Sequence, residues 1–111
     1  MDRAGRRAAI SAYKERKSAV GVFAVRCEAS AEVWVGGTPT LDTVQTRIWF
    51  SLRLGSSPHR GAQAAWLAHG ESAFSFERLE TYDEDKADLM QAEWLKHRTL
   101  HWRAHLGAKA M

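Results

Sequence analysis

The sequence predicts an α/β domain of the α+β type: a small three-stranded sheet flanked by helices, in the order helix, strand, strand, helix, helix, strand, helix. Three observations carry that reading. Val20, Val22, Phe23 and Val25 form a β-branched and aromatic run, which a short polar break separates from Glu32-Val33-Trp34-Val35, the pattern of a hairpin. Phe74 to Glu80 alternates apolar with polar residues, as a half-buried strand does. Between these strands Val44, Ile48 and Leu52 recur four residues apart, which places them on one face of a helix.

Each element follows from local chemistry. Asp2 is suited to cap a helix running from Arg3 to about Lys17, with Ala8, Ala9, Ala12 and Tyr13 as a thin apolar stripe. Ser18 to Cys27 is the first strand and Glu28 to Ala31 its loop, and Glu32 to Val35 is the second, ended by Gly36-Gly37-Thr38-Pro39. Thr40 or Asp42 caps a helix that reaches Leu54 and stops at Gly55. Ser56-Ser57-Pro58 turns the chain into a short helix from about Arg60 to Ala68, which Gly70 closes. After the third strand, Asp83, Glu84 and Asp85 favour the positive end of a last helix extending to about Leu106, before Gly107.

At 111 residues the chain is sized for one domain, residues 1–111, with residues 1–17 as an N-terminal helical extension. Hydrophobic residues make up 45% and five tryptophans supply large anchors, enough to close a single core. No apolar run approaches the ~20 residues of a membrane span, and the Arg-rich start lacks the apolar stretch of a secretory leader. A cytoplasmic protein without a membrane partner is the expectation. Cys27, the single cysteine, lies in an apolar run and reads as a buried strand thiol. Net charge is +3, which permits nucleic-acid binding without requiring it. Residues 1–62 hold ten Lys or Arg against five acids, while residues 63–111 hold six against eight, so the first half is the better nucleic-acid face.

Gly21-Val22-Phe23 and Trp34-Val35-Gly36 sit one on each strand of the opening hairpin, with Arg47 on the helix that follows. Ala12 to Lys17, Leu41-Asp42, Gly55-Ser56-Ser57-Pro58-His59, Gln63, Ala65-Trp66, His69-Gly70-Glu71 and Phe74 to Glu80 continue the pattern. In this order the motifs resemble a small stand-alone branch of the GIY-YIG nuclease family, over roughly residues 12–106. Several weak motifs in sequence are more specific than any one alone. The resemblance implies phosphodiester cleavage: a tyrosine-activated water, an arginine that stabilises charge, and a glutamate on the last helix holding Mg²⁺ or Mn²⁺. Hard cations want carboxylate and water oxygens, and a guanidinium can grip two phosphate oxygens at once.

Carried over by residue, Arg47 is the phosphate clamp. Phe23 and Trp34 occupy the two tyrosine positions, and neither can take a proton from water. Both still pack, and Trp34 is also large enough to stack a base. Ser51 stands where many members carry histidine, and His59, in the loop, is the candidate replacement base. The metal-binding glutamate falls on Gln91 or Thr99 according to register, which leaves Glu93, Asp88 or Glu84 as shifted alternatives, with Glu93 preferred. Outside the family pattern, Glu93, His97, His101 and His105 recur every four residues, yet HxxxH supplies only two metal ligands.

Three functions therefore compete. One is a metal-dependent nuclease with a remodelled site. A second, ranked first, binds nucleic acid, DNA ahead of RNA, with weak or lost cleavage, through Arg47 and the phosphate contacts Arg3, Arg6, Arg7, Lys14, Lys17 and Arg53. A third is a protein-interaction or structural domain. Oligomeric state is not legible from the sequence.

Overall fold

Residues 21–27 place a β-branched or aromatic side chain on each face of a strand, so both faces demand cover, and the computed structural model supplies it in three layers. It describes residues 19–83 and 90–111. The strands are β1 (Gly21–Cys27), β2 (Glu32–Thr38), β3 (Phe74–Thr81) and β4 (Lys109–Ala110). The helices are α1 (Leu41–Leu54), α2 (Arg60–His69) and α3 (Gln91–Leu106). The expected helix over residues 3–17 lies outside the described residues, as do residues 84–89 at the start of the expected last helix.

The sheet order is β3-β1-β2-β4. β1 runs antiparallel to both neighbours, pairing Phe23 with Gly36 and Val25 with Trp34 on one side, and Cys27 with Phe74 on the other. One face carries Phe23, Val25, Cys27 and Trp34 beneath Leu41, Val44, Ile48 and Leu52 of α1 and Ala62, Ala65 and Trp66 of α2. The opposite face carries Val22, Ala24 and Val35 beneath Leu95, Trp102 and Leu106 of α3. Cys27 is buried, as a strand thiol in this core should be. Trp49 anchors the first layer, meeting Trp66, Phe74 and Phe76 edge-on at centroid distances of 5.7, 6.3 and 6.2 Å.

Three features differ from the sequence reading. α3 starts at Gln91 behind an extended Met90, so Asp83 lies ahead of the helix and Glu93 is the acid of its first turn. β2 continues through Gly36, Gly37 and Thr38 instead of ending at the glycines. The reason is close approach from both faces: a Cβ on Gly36 would lie 2.8 Å from Phe23 Cζ, and one on Gly37 would run into Thr99 Oγ1 and Leu95. The sheet also has a fourth strand, too short to show a period. Gly107 takes a left-handed conformation (φ 62°) at the end of α3, and the chain returns to lay β4 parallel to β2, Trp34 opposite Lys109. Lys109 Nζ bonds Glu32 Oε2 at 2.7 Å and sits 5.8 Å from the Trp34 ring centre.

α3 is tied to the far edge of the sheet by Glu80, whose Oε1 accepts from Arg98 Nε (2.7 Å) and Trp102 Nε1 (2.9 Å). Burial pushes the Glu80 carboxyl upward, but these donors outweigh it and hold the group below its ordinary value of 4.5. A carboxyl whose folded value is depressed stabilises the fold above the unfolded value and loses that contribution as pH falls through the folded one. Thermal stability is therefore expected to drop below about pH 4.5, the ordinary Glu value. Melting curves of Glu80→Gln should show a flatter acid limb than the parent, and an equal limb would remove Glu80 as the cause.

Candidate functional site

α1 starts at Leu41 behind Thr40, turns Leu41, Val44, Ile48 and Leu52 into the core, and leaves Arg47 exposed on its flank. Arg47 Nη2 donates to Thr40 Oγ1. Thr40 in turn approaches Thr38 Oγ1 with its hydroxyl (3.2 Å) and its backbone N–H (3.1 Å). Thr38 is buried at the end of β2, so a hydroxyl relay ties the guanidinium back to the hairpin. Thr40 is Arg47's single hydrogen-bond partner among the described residues, and its other N–H groups remain available to an outside acceptor. Neither Thr38 nor Thr40 belongs to a motif in the sequence; their signal there is two hydroxyls straddling Pro39 at the strand end.

The loop before α2 is pinned by Gln63. Its Oε1 accepts from Ser57 N at 3.1 Å, and its Nε2 donates to Leu52 O at 3.1 Å, fastening residues 55–59 to the end of α1. His59 occupies the cap position of α2, half-buried, with its N–H on Ser57 Oγ at 3.1 Å. Arg47 and His59 share no hydrogen-bond partner among the described residues. Ser51 turns its hydroxyl back onto Ile48 O at 3.0 Å. Arg53 forms a two-pronged pair with Glu71, at 3.0 and 2.9 Å, so its guanidinium is already engaged. Arg3, Arg6, Arg7, Lys14 and Lys17 lie outside the described residues.

Phe23 and Trp34 are 3% and 2% exposed. Phe23 stacks on Phe76 at 5.5 Å and Trp34 on Phe74 at 6.1 Å. Both motif aromatics are thus structural members of the layer under α1 and α2, and neither ring is open to a base or a water.

This arrangement of hairpin, two helices, strand and helix has solved counterparts. The catalytic domain of homing endonuclease I-TevI matches with a TM-score of 0.68 at 18% identity, covering 83% of this chain and 97% of that one. A glutamate-to-alanine mutant of the catalytic domain of intron endonuclease I-TevI matches with a TM-score of 0.67 at 18% identity, covering 80% and 84%. The chain has the GIY-YIG fold. No protein-family model and no curated protein matches it.

A divalent cation on the GIY-YIG fold would require carboxylate oxygens near the hairpin. On α3, the two positions expected for a glutamate are Gln91, exposed at the helix start, and Thr99, which lies over Gly37 and donates to Leu95 O at 2.7 Å. Beside Thr99 opens a groove of about 460 Å³ whose charged lining is Lys96 and Arg103, cations where a metal would need anions. Glu93 is exposed on the first turn of α3, while Asp88 and Glu84 are outside the described residues. His101 and His105 stack at 5.9 Å, and no third ligand joins them among the described residues. Among the described residues no group of three or more His, Cys, Asp or Glu is placed to hold a metal ion. The described part of the last helix thus offers one carboxylate, Glu93, and neither Gln91 nor Thr99 can take the place of the glutamate that the resemblance implies.

Proposed function

We propose that this domain binds nucleic acid, DNA ahead of RNA, through Arg47, with metal-dependent phosphodiester cleavage weak or lost. The observation that carries the reading is the contrast within one motif set. Arg47 keeps an outward guanidinium steadied by the Thr38–Thr40 hydroxyls, while the positions that should supply acid–base chemistry are Phe23 and Trp34, sealed in the core. A guanidinium so placed binds phosphate oxygens by charge and by paired donors. With no proton acceptor from the hairpin, and with Gln91 and Thr99 at the positions the resemblance gives to a glutamate, activation of water is left to His59 and Glu93, which supports weak or lost cleavage. The likeness to endonuclease catalytic domains supports a phosphodiester ligand. Further phosphate contacts are assigned to Arg3, Arg6, Arg7, Lys14 and Lys17 on charge alone.

The test is binding of mixed-sequence duplex over a salt series, beside a plasmid cleavage assay with Mg²⁺ and Mn²⁺. Affinity should fall linearly on log–log axes, and Arg47→Ala should reduce the slope by about one, the signature of one lost phosphate contact. Cleavage should be absent or slow, and any that appears should vanish in Arg47→Ala. Binding that ignores ionic strength, or an Arg47→Ala variant with the parental slope, defeats the proposal. Fast metal-dependent cleavage would restore the nuclease reading.

A further inference from the structure

The outer face of α1 carries a feature that the phosphate clamp alone does not explain. Phe50 is 59% exposed and Leu54 64% exposed. Arg47, Phe50 and Leu54 are three and then four residues apart, so they form one stripe along the helix. A large aromatic left in water on the same stripe as an arginine with no ion pair among the described residues calls for a ligand with both a flat apolar surface and a negative charge. Among the described residues no carboxylate neutralises it: Asp42, the acid of α1, lies on the other flank and meets Arg78 at 3.1 Å, while Arg53 is held by Glu71.

We infer that α1 presents a single-strand site, in which Arg47 takes a backbone phosphate and the Phe50 ring stacks an unpaired base, with Leu54 extending the apolar floor. This rests on the nucleic-acid reading above and deepens it by naming the form of nucleic acid. Side chains three residues apart on a helix stand about 5–6 Å apart at Cβ, and both groups are long enough to reach the phosphate and base of one nucleotide. In a duplex the base faces are stacked on each other and closed to a side chain, so a phenyl platform gains nothing from paired DNA. In a single strand every base offers a π-face, and stacking is sequence-tolerant. The selectivity therefore comes from Phe50 and the charge attraction from Arg47.

The experiment compares fluorescence anisotropy of a short oligothymidylate and of a duplex with the parent, Phe50→Ala, Phe50→Trp and Arg47→Ala. Because Phe50 is exposed, its removal leaves the core intact, and circular dichroism melts should confirm parental folding. Phe50→Ala is expected to weaken oligothymidylate binding by about fivefold to a hundredfold, with duplex affinity and salt slope unchanged; Phe50→Trp should restore it. Arg47→Ala should weaken both ligands. A folded Phe50→Ala that binds oligothymidylate as the parent does, or that loses both ligands equally, overturns the stacking site while leaving the nucleic-acid reading standing. A parent that binds neither ligand overturns that reading and this one together. A parent dimer that Phe50→Ala converts to monomer without changing either affinity also overturns the site, because the face would then be an interface between copies.

Discussion

Gly21→Ala is expected to lower the cooperative thermal transition of this domain by about 20 °C or more. Gly21 opens β1, next to the register shift at Val22 and Phe23 in the β1–β3 ladder. A Cβ there would run into the carbonyl oxygen of Glu80 and lie 2.5 Å from Leu41 Cδ1. A side chain can rotate aside, but the Glu80 carbonyl is main chain of the neighbouring strand, so relief would mean separating β3 from β1. Losing that alignment also displaces Glu80 itself, which holds Arg98 and Trp102 of α3. The cost should exceed about 4 kcal/mol, a large share of the roughly 5–15 kcal/mol that holds a small domain together. Gly55→Ala serves as the control: Gly55 ends α1 at φ 74° with open space around it, so its penalty is only backbone strain of about 1 kcal/mol. Differential scanning calorimetry of the pair decides the matter, and a Gly21→Ala transition within a few degrees of the Gly55→Ala one would refute the steric account.

Trp49→Ala should be the next most damaging single change, lowering unfolding free energy by about 3–5 kcal/mol. Trp49 is 8% exposed and is the ring against which Trp66, Phe74 and Phe76 are all set edge-on. Truncation would leave a cavity where α1, α2 and β3 meet, and the three remaining rings are anchored on different elements and cannot close over it together. Urea titration should show a lower midpoint with an unchanged slope, since the surface exposed on unfolding is nearly the same. Trp49→Phe should recover a good part of the loss. A Trp49→Ala midpoint equal to the parent's would mean that this layer is not the main support of α1.

Much of this was readable in the residues. The hairpin, β3 and the two helices between them rest on side-chain periodicity, and Gly55 and Gly70 marked the helix ends correctly because such stops are local. The α+β layering and the resemblance to GIY-YIG nucleases came from the same local patterns, and the I-TevI catalytic domain shares the fold. What was missed is tertiary. Gly36 and Gly37 read as a turn, yet they stay in the strand because Phe23 presses from one face and Thr99 from the other, neighbours that no local window contains. Of the two caps the residues offer, Thr40 or Asp42, Thr40 takes the cap position, but its hydroxyl serves Arg47 and makes no cap bond. Phe23 and Trp34 could be seen to lack acid–base groups; how deeply the aromatic layer encloses them depends on Phe74 and Phe76, some fifty and forty residues away in the chain. β4 left no trace because two residues cannot display alternation.

That small fourth strand settles how the sheet meets its surroundings. The outer rim of β2 would otherwise expose a row of unmatched amide and carbonyl groups to any passing extended chain, and Ala110 and its neighbours cover its middle at Trp34 and Val35, with Met111 N donating to Val35 O at 3.1 Å. At the opposite rim, β3 has no further neighbour among the described residues and displays Glu77 and Arg78, charges that an adding strand would have to desolvate. One border is interrupted at its centre and the other is guarded by charge, so both rims of the platform resist edge-to-edge addition of a strand, and its outward chemistry is left to the helices.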